Sequence, residues 1–302
     1  MNLYLKYRPT EFDQIVGNAE VVESITNMME KDPPHSILLT GPTGCGKTTI
    51  GRIIVGKLGC KGVDFTEVDS ADFRGIETVR NIRKLTRYSP VEGDARVFLI
   101  DECHKMTNDA QNALLKILED TPAHVYFILC TTDPQKLLKT VKGRCITFDL
   151  NILSDTQMKI LVKRVVKAEE ESIEPEVYRQ IISGAKGHPR NALQILDQVL
   201  AVDPENRLET AKRAEVLESV SVDLCKALIK GAGWKEIAGT VKGLKDQDSE
   251  SIRRHVLAYT AAVALNGKDP ERMGLILEAF SEPYYNTNFS GLVLSCLSVV
   301  YN

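Results

Sequence analysis

Hydrophobic and polar positions follow two different regimes along the chain, and the change comes near residue 150. Before it, short β-branched runs at 37–40, 65–68, 97–100, 125–130 and 145–148 alternate with stretches of helical periodicity. Such alternation predicts a parallel sheet covered by helices. After it, the periodicity is helical to the end. Ser154 and Gln157 form a capping box, and Met158, Leu161, Val162, Val165 and Val166 make one apolar stripe. Pro189 suits the first position of a helix that carries Ala192, Ile195, Leu196 and Val199 on one face. Asp203-Pro204-Glu205 interrupts the pattern, and further helices are expected at 208–219, 224–230, 234–241, 251–265, 270–280 and 291–300. Three parts are therefore expected: an α/β core at 1–150, a small helical domain at 151–203 and a C-terminal helical domain at 204–302.

Composition narrows the functional classes. The 302 residues are 43% hydrophobic and 26% charged, enough to bury a substantial core. No apolar run approaches membrane-spanning length and the first residues lack a signal-peptide pattern, so a cytoplasmic protein without a membrane partner is expected. The seven cysteines include no C-x-x-C pair, which argues against zinc and fits reduced thiols. A net charge of −3 requires that any nucleic-acid contact come from a local patch.

The most specific chemistry lies between the first β-run and the helix after it. Gly41, Pro42, Thr43, Gly44, Cys45, Gly46, Lys47 and Thr48 fit the pattern G-x-x-x-x-G-K-[ST]. Its glycines let successive backbone N–H groups converge on phosphate oxygens, and the following helix adds its positive N-terminal end. Lys47 is placed for the β/γ-phosphates and the Thr48 hydroxyl for Mg²⁺. A second apolar run ends in Asp101 and Glu102, which delivers two carboxylates to the C-terminal sheet edge where open α/β sheets bind ligands. Asp101 suits Mg²⁺, directly or through a water, and Glu102 suits orientation and deprotonation of an attacking water. His104 is expected to be a partly exposed helix-start residue. The run 125–130 ends in Thr131-Thr132-Asp133-Pro134, where a hydroxyl can sense a γ-phosphate or where Asp-Pro merely starts a turn. Arg144 and Arg190 are ordinary surface arginines or the extra cations that phosphoryl transfer uses; spacing does not say whether either would act on its own nucleotide or a neighbour's.

Helical spacing sets Arg80, Arg83, Lys84 and Arg87 on one face of 76–87, opposite Ile76, Val79, Ile82 and Leu85. Four cations in this pattern form a candidate rail for a phosphate backbone, giving affinity without base specificity, or a plain solvated face. A second cluster, Lys136, Lys139, Lys142 and Arg144, suits either DNA or a subunit interface.

Taken together, these motifs resemble the clamp-loader ATPases of the AAA+ superfamily, both the replication factor C small subunits and the ATPase core of the bacterial polymerase III tau/gamma subunits. The resemblance runs from residue 3 to about 200. It implies an α/β P-loop AAA+ core with a parallel sheet, then a helical lid, then an all-α collar. Leu5-Lys-Tyr7-Arg8-Pro9 and Phe12-Asp-Gln-Ile-Val16-Gly17 are similar to the segment that wraps adenine, which joins the loop from Gly41 to Thr49 as the ATP site. Asp72-Phe-Arg74-Gly-Ile76 through Arg80 resembles the stretch that tracks template DNA, implying DNA contacts for Arg74, Arg80, Arg83, Lys84 and Arg87. The segment 111–119 looks like the helix after the Asp-Glu strand. Thr131-Thr132-Asp133-Pro134-Gln135-Lys136 is close to sensor 1, with Thr132 sensing. Gly187-His-Pro-Arg190 is similar to the sensor 2 helix, which implies that Arg190 contacts the γ-phosphate in cis. Gly143-Arg144-Cys145 matches a Ser-Arg-Cys motif, which implies that Arg144 acts in trans.

The chain departs from the pattern in places. Gly143 replaces Ser at the finger's base, only Cys60 stands where tau/gamma inserts a zinc module, and tau's long C-terminal extension is not seen. The implied function is an ATP- and Mg²⁺-using subunit of a pentameric assembly, homo- or hetero-oligomeric, that opens a sliding clamp and loads it on primer–template DNA. Its implied location is the cytoplasm or nucleoid, or a nucleus in a eukaryote. Another AAA+ motor or loader, of the branch-migration or helicase-loading type, is an alternative; the helical reading of 205–302 disfavours a branch-migration motor with its winged-helix end. Asp101-Glu-Cys-His104 also spells a superfamily 2 helicase box, but no second motor domain follows. A structural subunit that binds nucleotide without turnover is disfavoured by the intact Lys47, Thr48, Asp101, Glu102 and Arg144.

Overall fold

Five parallel strands in the order β2-β3-β4-β1-β5 form the centre of the N-terminal part. The computed structural model describes residues 2–70, 75–245, 249–265, 269–284 and 288–301. In chain order the elements begin α1 (Leu3–Lys6), α2 (Ala19–Lys31), β1 (Ser36–Thr40), α3 (Lys47–Lys57), β2 (Phe65–Asp69), α4 (Ile76–Leu85) and β3 (Arg96–Asp101). They continue with α5 (Asn108–Glu119), β4 (Val125–Thr131), α6 (Lys139–Lys142), β5 (Ile146–Asp149), α7 (Asp155–Ala168), α8 (Pro175–Ala185) and α9 (Pro189–Leu200). The C-terminal elements are α10 (Arg207–Lys230), α11 (Trp234–Lys242), α12 (Ser249–Ala264), α13 (Pro270–Ala279) and α14 (Asn288–Tyr301). Each expected strand lies within a residue or two of its observed counterpart.

The strands read as unbroken apolar runs because helices cover both faces of the sheet. Side chains alternate across it: Ile37 and Leu39 join Ile50, Ile54, Leu99 and Ile128 in one core, while Leu38 joins Phe98, Ile100, Leu114 and Phe127 in the other. Phe98 and Phe127 stack with centroids 5.3 Å apart, and burying a ring of this size contributes about 1.5–3 kcal/mol. Parallel register aligns Thr40 with Thr131 and Asp69 with Asp101. The C-terminal ends of β1, β2, β3 and β4 thus bring hydroxyls and carboxylates to one edge.

A buried ion pair anchors the loop before β3. Asp64 Oδ1 lies 2.8 Å from Arg96 Nη2, and the Asp64 carboxylate accepts the backbone N–H groups of Val91, Glu92 and Gly93. Burial alone would raise the Asp64 pKa; the three N–H donors and Arg96 outweigh it and hold the carboxyl below its usual value.

Contacts divide the chain into two compact units, residues 1–201 and 202–302. The first holds the sheet and α1–α9. Its α7 starts with the expected box, Ser154 accepting from the Gln157 N–H and Gln157 reaching back to Ser154. In the second, α10–α14 enclose a core that includes Leu224, Leu228, Ile237, Val256, Ile276 and Phe280. Glu250 accepts hydrogen bonds from Arg253, the backbone of Tyr284 and Arg254, which push its pKa down to about 2. The two helices expected at 208–219 and 224–230 are one helix, α10. No glycine or proline stands between them, so nothing interrupts the backbone ladder before Gly231, whose φ of +76° ends it. Among the described residues no helix is long and apolar enough to cross a membrane.

Candidate active site

The phosphate loop leaves β1 beside the chain that exits β5. Gly41 has φ +140°, and a Cβ there would sit 2.3 Å from the Leu150 carbonyl oxygen, so the loop can turn here only with glycine. Gly46, at φ +107°, precedes α3, and no side chain caps this helix end. The first-turn N–H groups of α3 are therefore left for an anion. Lys47 is buried, and its Nζ donates to the carbonyls of Gly41 and Pro42, each at 2.8 Å.

Two strand ends complete the constellation. Thr48 Oγ1 donates to Asp101 Oδ2 at 2.6 Å, while Asp101 Oδ1 accepts the Glu102 N–H at 2.9 Å. Glu102 adopts the left-handed conformation, φ +48° and ψ +38°, a strain of about 1–3 kcal/mol of the kind that clusters at functional sites. Its Oε2 accepts from Thr132 Oγ1 at 3.2 Å. His104, expected as a partly exposed helix-start residue, is partly exposed in a 3-10 turn, its side chain 10% exposed. The turn after Glu102 folds it inward, and burial lowers its imidazole pKa.

Lys47, Thr48, Asp101 and Glu102 border a cavity of about 380 Å³, while Thr132 and His104 stand behind Glu102 without lining it. Of the residues expected to bind nucleotide, Tyr7, Arg8, Pro9, Val16, Thr43, Gly44, Cys45, Gly46, Lys47, Thr48, Thr49 and Arg190 line it, as do Asp101 and Glu102. Gly17, Gly41 and Pro42 shape the surrounding chain without lining it; a Cβ on Gly17 would strike Leu153 at 2.4 Å. Arg190 stands in the first turn of α9, its guanidinium 6.0 Å from the Tyr4 ring. The N-terminal segment is tied to the helices opposite it: the Leu3 N–H donates to Asp197 Oδ2 at 3.1 Å, and Lys6 and Tyr7 both bond Glu169. Tyr4, Asp69, Leu161 and Leu193 also line the cavity. Sequence patterns read Leu161 as core stripe and gave no role to the others; only the register of β2 against β3 brings Asp69 to the site.

The donor set fits a polyphosphate with Mg²⁺. Arg8 has its pKa lowered by burial and then by the nearby charges of Arg52 and Arg190, and Arg8, Lys47 and Arg190 set three cations on the cavity wall. Among the described residues no group of three or more His, Cys, Asp and Glu could hold a metal by itself. Thr48 and Asp101 would hold the Mg²⁺ of a bound polyphosphate, directly or through water, and the metal would neutralise phosphate charge there.

Arg144 does not line this cavity. It follows α6, pairs with Glu119 and donates to the Thr140 carbonyl at 2.9 Å. On α4, Val79 and Ile82 are buried while Arg80, Arg83 and Lys84 face solvent. Arg87 is exposed too, but in the turn beyond the helix, and Leu85 is partly exposed rather than inward. Glu77, one turn before these cations, pairs with Arg80. Arg74 lies outside the described residues.

Residues 63–154 match the family described as "DNA polymerase III, delta subunit". The chain is 34% identical over 225 residues to DNA polymerase III subunit gamma/tau of Mycobacterium tuberculosis (strain ATCC 25618 / H37Rv), covering 67% of this chain and 39% of that protein. It is 31% identical over 259 residues to the tau subunit of Escherichia coli (strain K12), covering 77% and 40%. Thus the match spans well under two thirds of these curated relatives. Among solved structures it resembles the Thermotoga maritima RuvB Holliday junction branch migration motor, with TM-score 0.61, 20% identity and coverage of 78% and 85%. It also resembles a DNA polymerase III gamma subunit-related protein of the same organism, with TM-score 0.51, 18% identity and coverage of 92% and 98%. Both structural likenesses concern the fold.

Proposed function

This chain belongs with the DNA polymerase III gamma/tau subunits among the AAA+ clamp-loader ATPases, and we propose that it is an ATP-hydrolysing subunit that loads a sliding clamp onto primer–template DNA. One observation carries the reading: a single cavity gathers the phosphate loop, the Thr48–Asp101 pair, Glu102 and, from α9, Arg190. In this reading Lys47 and the α3 N-terminus neutralise phosphate charge, and Thr48 and Asp101 hold Mg²⁺, which polarises the phosphate oxygens when bound. Glu102 accepts the proton of the attacking water, Thr132 holds that carboxylate, and Arg190 reports the γ-phosphate to α9. Tyr7, Arg8, Pro9 and Val16 enclose the base, and Gly17 shapes the chain behind them.

Residues 1–150 then act as the ATPase core, 151–203 as a lid over the nucleotide and 204–302 as the collar of an oligomer, pentameric as in the resemblance. Arg144, turned away from its own cavity, suits a neighbour's site. DNA lies along Arg80, Arg83, Lys84 and Arg87, with Arg74 assigned by resemblance only. A cytoplasmic, nucleoid-associated location goes with bacterial relatives, which lend a nucleus no support. The branch-migration alternative draws on likeness of fold alone, and the described residues of 202–302 are helical without strands.

The test is ATP turnover by the full chain with its co-assembling subunits, with and without primer–template DNA and a candidate clamp, alongside native mass. Turnover stimulated by DNA and clamp together is expected. Turnover indifferent to both would overturn clamp loading.

A further inference from the structure

The half-buried imidazole beside Glu102 has no place in the chemistry above, and its geometry gives it one. Glu102 turns the chain through a left-handed conformation, and its carbonyl accepts the Lys105 N–H at 2.8 Å. That turn brings His104 back against the Glu102 side chain. His104 Nδ1 lies 3.0 Å from Thr131 Oγ1 and 3.3 Å from Glu102 Oε2. Thr131 is fully buried at the last position of β4, and its hydroxyl also accepts the Asp133 N–H at 3.0 Å. Thr132 Oγ1 approaches the same Glu102 oxygen at 3.2 Å.

We propose that His104 is a positioning residue for the hydrolytic step: with Thr132 it grips Glu102 Oε2 and presents Oε1 to the attacking water. This rests on the assignment of Glu102 as the base. A carboxylate only accepts, so the hold requires the proton on Nδ1, which hydrogen-bonds Thr131 Oγ1 and, at 3.3 Å and without hydrogen-bond alignment, attracts Glu102 Oε2. Neutrality matters as well. Burial disfavours the imidazolium, against the opposing pull of Glu102 and Asp133 and with the help of Lys105 and Lys136. A neutral N–H orients the carboxylate through its dipole alone. The anchor is rigid because Thr131 belongs to a central strand paired to both β1 and β3.

The test measures steady-state ATP turnover and nucleotide affinity for the full chain with its co-assembling subunits. His104→Ala is expected to lower kcat about 10–100-fold through misplacement of the base, with KM and nucleotide affinity unchanged. His104→Asn, whose amide N–H falls near the Nδ1 position, should recover most of the loss. In a Glu102→Gln background, His104→Ala should change the residual rate by less than about twofold, since both variants remove one function. Should His104→Ala keep full kcat while Glu102→Gln abolishes turnover, the positioning role is wrong and the base assignment stands. Equal loss in His104→Ala and His104→Asn, accompanied by weaker nucleotide binding, would assign His104 to the fold instead. Glu102→Gln at full turnover would overturn the base assignment itself.

Discussion

Thr48 Oγ1 and Asp101 Oδ2 lie 2.6 Å apart although 53 residues separate them in sequence. The contact joins the start of α3 to the end of β3 and sets a hydroxyl and a carboxylate side by side at the phosphate loop. In the proposed function these two oxygens would hold Mg²⁺, directly or through water. Asp101→Asn or Thr48→Val should raise the Mg²⁺ concentration needed for half-maximal turnover by about 10–100-fold. Metal-free nucleotide affinity should hardly move, and a Mg²⁺ titration of both quantities checks it.

Lys47 and Glu102 separate binding from chemistry. Lys47→Ala should abolish ATP binding, since it deletes the cation enclosed by the loop. Glu102→Gln should still bind ATP while turnover falls by about 10²–10⁴-fold. A fluorescent nucleotide titration beside a phosphate-release assay distinguishes them.

Arg144 turns to Glu119 and away from its own cavity, so its rate effect should be supplied to another subunit. Arg144→Ala is expected to lower turnover by about 10³–10⁵-fold if it serves as the finger. Mixing Arg144→Ala subunits with Glu102→Gln subunits should restore part of the activity, because some sites then combine an intact base with an intact finger. Strictly additive loss in the mixture would mean action in cis.

The exposed cations on and after α4 predict a charge effect without sequence preference. Reversing Arg80 and Lys84 to Glu should weaken DNA binding equally across sequences and reduce the salt slope by about 0.9 for each phosphate no longer neutralised. Arg80 should contribute less than Lys84, because Glu77 already offsets part of its charge. Binding isotherms at several salt concentrations read both effects.

Acid should unfold the core partly through Asp64. Its folded-state pKa lies below the unfolded value, so the stabilisation is complete above about pH 4 and disappears as pH falls through the depressed pKa. Asp64→Asn should flatten the acid limb of the Tm–pH curve. Arg96→Met, which strands a buried carboxylate, should lower Tm by several degrees at neutral pH.

What the linear chain determined was what depends on neighbours in sequence. The phosphate loop is a local backbone device, so eight consecutive residues from Gly41 to Thr48 suffice to specify it. The strands were legible because burial on both faces leaves unbroken apolar runs, and the α7 start because Ser154 and Gln157 are three residues apart. Tertiary structure decided which distant segments meet. His104 meets Thr131 across 27 residues, Asp64 meets Arg96 across 32, and Arg144 meets Glu119 across 25. Asp69 enters the site only through the alignment of β2 with β3. A lone His, Asp or Arg carries no sequence signal for such partners, because sheet register and turn direction choose them after the core has formed.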